Sequence, residues 1–164
     1  MTHITRRTAL ITGACAALMP ARALAATAFV SAVQVRKGAR RLELISDGRV
    51  VRAYPVSLGK DPSGPKRFEG DGRTPEGAYV IDRRLSRSSY FLSLGISYPT
   101  MREVAAARRA GRSAGSNIFV HGQPNSVIRP LEGDWTQGCV ALSNEDMREV
   151  FSAVPVGCPI RIYA

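Results

Sequence analysis

From residue 28 onward the chain is a succession of short apolar stretches bounded by Gly, Pro, Asp or charged residues. Residues 28–36 alternate apolar and polar positions, the period of a half-buried strand. Residues 42–45 and 50–56 are two more strand-like runs, with Asp47-Gly48 between them. An Asp-Gly pair in that place predicts a tight hairpin, because both residues tolerate positive φ. Residues 78–82, 90–97, 118–120, 139–142 and 159–163 complete the expected strands.

Two segments carry helical signals instead. Thr100-Met101-Arg102-Glu103 has the capping-box pattern and predicts a helix running to Gly111. After Ser143 or Asn144, the residues Met147, Val150, Phe151 and Val154 recur at helical spacing, and Pro155 ends the run. That stripe reads as core. The sum is a mainly β (α+β) domain with two short helices, with no repeat and no inter-domain linker. Residues 59–77 form one long stretch of Gly, Pro and charge, and a loop of that length in a compact domain is usually functional.

The first 25 residues follow different rules. A basic start through Arg6-Arg7 leads into the apolar run 8–19, and Ala23-Leu24-Ala25 supplies a small-x-small cleavage pattern. This predicts a cleavable export signal over residues 1–25 and a mature domain over 26–164 in the periplasm or cell envelope. The run falls short of the roughly 20 apolar residues needed to span a bilayer, and no later stretch is a membrane segment. The arginine pair resembles a twin-arginine export motif. Cys15 belongs to the discarded signal.

The full chain has 23 basic and 13 acidic residues, a formal charge of +10. A basic surface steers toward an anionic polymer, either nucleic acid or a wall bearing free carboxylates. Charge alone does not choose, but no aromatic-basic motif of a nucleic-acid binder is present, and none is expected as a partner.

After removal of the signal, His121 is the only histidine, and Cys139 and Cys158 are the only cysteines. One His and two distant Cys cannot close a zinc site, and no P-loop or dinucleotide fingerprint appears, so neither metal nor cofactor is expected. Cys158 sits in a terminal apolar run and reads as a buried strand residue. Cys139 sits in a polar turn suited to a reactive thiol; a Cys139–Cys158 disulfide is the competing reading. A lone His and a lone Cys fit a catalytic pair, with imidazole activating thiol. They fit equally a core histidine and a buried thiol.

The surrounding residues separate those readings. His121-Gly122, a short spacer, Thr136-Gln137-Gly138-Cys139 and then Asn144 resemble the catalytic pattern of the L,D-transpeptidase (YkuD-like) family. Gly72-Arg73-Thr74-Pro75-Glu76-Gly77 is similar to a segment upstream of that pattern, and the resemblance extends over nearly all of residues 28–164. It implies a β-sandwich-like catalytic fold acting on peptidoglycan stem peptides. Cys139 would be the nucleophile and His121 the general base and acid. The Gly122 carbonyl would orient the imidazole, and the amides of Gln137, Gly138 and Cys139 would form an oxyanion hole.

Two positions depart from the family: Gln137 stands where most members have His, and Ala141 where most have Arg. The Asp-Trp-Thr-x-Gly-Cys-Val-Ala form resembles a subgroup that includes enzymes cutting wall-to-lipoprotein links. The implied activity is a transpeptidase passing a Cys139 thioester to an amine. The alternatives are a hydrolase of wall peptides or wall-lipoprotein links, and a non-catalytic wall-binding module. Asp134, Trp135, Thr136 and Asn144 are the candidate substrate-binding residues. Trp135 has packing as its competing role, and Asp134 the capping of a turn.

Overall fold

The computed structural model describes residues 29–164, so the expected export signal lies outside the described residues. The elements are β1 (Ala32–Arg36), β2 (Arg41–Ser46), β3 (Arg49–Pro55), β4 (Gly77–Ser88), β5 (Phe91–Ile96), α1 (Met101–Arg109), β6 (Phe119–His121), β7 (Val140–Ala141), α2 (Asn144–Ala153) and β8 (Pro159–Tyr163). No helix among the described residues is long and apolar enough to cross a membrane.

The strands form a mixed sheet in the order β3-β2-β1-β8-β4-β5-β6-β7. β1 runs parallel to β8, and β6 parallel to β7; the other pairs are antiparallel. β4 serves both halves: its first four residues pair with β8, and the rest with β5. A bridge between Ser57 and Ala141 brings the segment after β3 alongside β7, so the two ends of the strand order approach without closing a barrel. Alternate residues of β1, β2, β8, β5 and β6, including Val33, Val35, Leu42, Leu94, Val120 and Ile160, fill one continuous core. α2 seals it against β5 with Met147 and Val150, and Val154 at its C-cap is fully buried too.

Local signals behave as their chemistry requires. Asp47 and Gly48 take φ of 48° and 72°, the left-handed pair expected of the hairpin. The capping box closes in both directions: Glu103 N–H donates to the Thr100 hydroxyl, and Thr100 N–H to the Glu103 carboxylate. α1 ends at Arg109, two residues before the expected Gly111.

Three strands differ from expectation. The first begins at Ala32 and not at residue 28. β4 extends to Ser88, six residues past the expected end. Its extra length is polar, but Arg83 lies over the Phe119 ring at 4.8 Å and Arg84 over Phe151 at 4.1 Å, so the arginine stems cover apolar surface. β7 holds only Val140 and Ala141, which leaves Cys139 just ahead of the strand.

The loop over residues 59–77 is ordered by buried cations. Lys37 donates to the carbonyls of Gly64 and Thr74 and to the Glu76 carboxylate. Lys66 pairs with Asp71 at 2.8 Å, and Asp71 also accepts from the N–H groups of Arg67, Phe68 and Arg73. The loop thus becomes a rigid shelf beneath the turn that carries Cys139.

Candidate active site

His121 is the last residue of β6 and pairs with Ser93 on one side and Ala141 on the other. Its side chain is 3% exposed. Nδ1 lies 2.7 Å from the Gly122 carbonyl oxygen. A carbonyl only accepts, so Nδ1 carries the hydrogen and Nε2 is left with its lone pair. The next peptide is pinned as well: Gly122 N–H donates to the carbonyls of Tyr90 and Leu92, and Gln123 N–H to Asn144 Oδ1 at 2.8 Å. A Cβ at Gly122 would sit 2.5 Å from that Oδ1 and would have to push the Asn144 amide aside. Burial holds the imidazole below its ordinary value of 6.5, against the opposing pull of the Gly122 carbonyl.

Cys139 is presented by a turn built on Thr136. The Thr136 hydroxyl accepts from Gly138 N–H at 3.1 Å and donates to the Cys139 carbonyl at 2.8 Å. Thr74, fully buried, lies on the same carbonyl at 3.5 Å and accepts from Gly59 N–H. Gly138 has φ of 126°, and a Cβ there would meet the Arg73 carbonyl at 2.5 Å. The Cys139 sulfur accepts from Phe119 N–H at 3.4 Å and lies 3.8 Å from the Asn117 carbonyl. It sits level with Phe119, two residues before His121, and side chains two apart share a strand face. Burial raises the thiol above its ordinary 9.0, with the Phe119 N–H and the Lys66 charge opposing.

Both cysteines among the described residues are free; Cys139 is half-buried and Cys158 buried. Cys158 lies immediately before β8, a buried residue at the strand's entrance and not within it. The structure therefore removes the disulfide alternative.

Cys139 and His121 line one cavity of about 590 Å³, between the β4–β5 hairpin and the 135–139 turn. Trp135 and Gln137 line it too. Trp135 stacks on Tyr90 with ring centroids 6.3 Å apart and meets His121 edge-on at 5.7 Å. Tyr90 closes on His121 at 4.6 Å, so the imidazole packs against both aromatic rings. Trp135 Nε1 is buried with no partner among the described residues.

The other candidate residues are placed as follows. Asp134 does not line the cavity: Arg40 pairs with its carboxylate at 2.7 Å, and Leu58 N–H donates to it at 2.8 Å. It braces the turn from outside. Asn144 is also outside the cavity, holding the peptide after Gly122. Thr136 borders the cavity, but its hydroxyl is committed within the turn. Of the three amides expected to form an oxyanion hole, that of Gly138 is already bonded to the Thr136 hydroxyl. Gln137 and Cys139 N–H have no acceptor among the described residues. Tyr90, Arg87 and Asn117 also border the cavity, and none of them lies in a sequence motif. The one available signal was the polar run 86–90 between two apolar strands.

A family model for the YkuD L,D-transpeptidase catalytic domain matches residues 31–162. The putative L,D-transpeptidase YafK of Escherichia coli K12 is 27% identical over 128 residues, 74% of this chain and 46% of that protein. L,D-transpeptidase 1 of Mycobacterium tuberculosis H37Rv is 32% identical over 118 residues, 71% of this chain and 43% of that protein. The solved structure of the helical cell shape determining protein Pgp2 from Campylobacter jejuni superposes with a TM-score of 0.65 at 25% identity, covering 81% of this chain and 47% of that one. The chain thus spans less than half the length of each of these relatives. With a free thiol and an anchored imidazole on one cavity wall and the family pattern matched from residue 31 to 162, this chain belongs to the L,D-transpeptidase catalytic domain family.

Proposed function

We propose that the protein is an exported peptidoglycan acyltransferase in which Cys139 attacks the carbonyl of a wall stem peptide, after an L-centre diamino acid and before a D-residue. His121 Nε2 takes the thiol proton as the S–C bond forms, and the oxyanion faces the free amides of Gln137 and Cys139. The C–N bond then breaks, the imidazolium gives its proton to the departing amine, and a Cys139 thioester remains. An amine of a second stem resolves the thioester into a crosslink. The observation that carries this reading is the shared cavity of a free thiol and an imidazole whose Nδ1 is fixed on Gly122. Export through the 1–25 signal to the cell envelope, with the arginine pair as a twin-arginine signal, belongs to the same reading.

Water is the competing acceptor, giving an L,D-carboxypeptidase or a hydrolase of wall-lipoprotein links. Gln137 and Ala141, the two departures from the family pattern, favour it. Ala141 is buried and bonded on both sides to Ser57. Digestion of purified sacculi by wild type and Cys139→Ala decides between them. New crosslinks with wild type alone support transfer, and shortened peptides alone support hydrolysis. Turnover by Cys139→Ala contradicts both.

A further inference from the structure

β4 carries three arginines in its outer half, and two are committed. Arg83 pairs with Asp82 and lies over Phe119, while Arg84 donates to the Val154 carbonyl and lies over Phe151. Arg87 is exposed, borders the Cys139 cavity, and has no acceptor among the described residues. It is the one fixed charge on the cavity wall, which includes no Asp or Glu. The nearest acid in sequence to the nucleophile, Asp134, is neutralised outside by Arg40. Asn117 lines the same cavity, and its Oδ1 accepts from Arg83 at 3.1 Å. That bond leaves its Nδ2 hydrogens to donate.

An unneutralised guanidinium on a largely apolar cavity concentrates anions there. Its planar fork matches a carboxylate with two parallel hydrogen bonds. We propose that Arg87, assisted by Asn117, anchors a free carboxylate of the peptide entering this cavity, so that the site selects carboxylate-bearing wall peptides over their amidated forms. This rests on reading the cavity as the acyl-donor site. Two carboxylates qualify: that of the D-residue beyond the scissile bond, and that on the diamino acid's side arm.

Calorimetric titration of the Cys139→Ala protein tests the proposal without requiring turnover. The probes are a tetrapeptide stem with both acids free and two forms, each amidated at one of them. Amidation of the recognised carboxylate is expected to weaken binding about tenfold. Adding Arg87→Gln should bring the free acid to the level of that amide and leave the amide unchanged, while Arg87→Lys recovers part of the difference. Equal affinity for all three probes overturns the proposal, as does an Arg87→Gln effect of the same size on acid and amides, or binding of none. Thermal unfolding of each variant checks the fold. Failure of the acyltransferase reading shows separately, as absence of turnover by wild type.

Discussion

The Thr136 hydroxyl stands between the Gly138 N–H and the Cys139 carbonyl, 3.1 Å from one and 2.8 Å from the other, and so sets the pitch of the turn carrying the nucleophile. Thr136→Ala breaks both bonds inside a buried site. The expected loss is about 1–2 kcal/mol of stability, one to two ordinary buried hydrogen bonds. The expected fall in kcat/KM is about tenfold, because the free amides and sulfur lose their alignment. Thr136→Ser keeps the hydroxyl and should recover most of both. Urea unfolding and steady-state kinetics on a stem-peptide donor read the two effects.

Gly138 admits no side chain, since its φ of 126° and the Arg73 carbonyl exclude a Cβ together. Gly138→Ala should cost about 3 kcal/mol of backbone strain and steric clash, or move the turn and abolish acylation. An unaltered melting temperature with full activity would contradict the turn geometry.

Asp134 and Asn144 act from outside the cavity, so their loss should leave KM unchanged. Asp134→Ala uncovers the Leu58 N–H, and about 1–2 kcal/mol of stability should go with it. The Arg40 contact adds less, because that side chain is partly exposed to water. Asn144→Ala frees the peptide after Gly122, and should lower kcat through a less fixed imidazole. A rise in KM in either variant would return that residue to the substrate site.

The shifts at His121 and Cys139 have opposite signs, which makes the resting pair a neutral thiol and a neutral imidazole. Activity needs the neutral imidazole, so kcat/KM should hold down to pH 6.5 and decline only below it. Alkylation of Cys139 by iodoacetamide should rise with a midpoint above pH 9.0, not with the low midpoint of a preformed ion pair. Stability follows the same shifts. The folded imidazole binds its proton less readily than the unfolded one, so stability falls as pH drops from about 6.5 toward the folded value. The folded thiol keeps its proton longer than the unfolded one, so stability falls as pH rises above 9.0. The wild-type-minus-variant difference in urea midpoint, measured across pH with His121→Gln and Cys139→Ala, isolates each contribution.

The features legible in the sequence were those whose causes are local. The capping box at Thr100 and Glu103 and the left-handed pair Asp47-Gly48 need only near neighbours. The His121-Gly122 and Thr136–Cys139 segments were singled out by the family pattern they resemble, and in the fold each organises its own backbone. What was missed depends on partners far along the chain. Of the two roles open to Asp134, substrate contact or turn cap, the sequence could not choose, because its partner Arg40 lies 94 residues away. The outer half of β4 was unreadable because its arginines find their rings, Phe119 and Phe151, only in the folded state. Tyr90 and Arg87 carry no motif; the pairing of β5 with β6 brings their hairpin to the site.

The covalent intermediate on Cys139 is the species that the proposed chemistry cannot do without. Wild-type protein mixed with a tetrapeptide stem, quenched in acid within the first turnover and weighed intact, should gain the mass of the acyl tripeptide on Cys139. Neither Cys139→Ala nor His121→Ala should gain it. An adduct on another residue, or turnover by Cys139→Ala, would contradict the account.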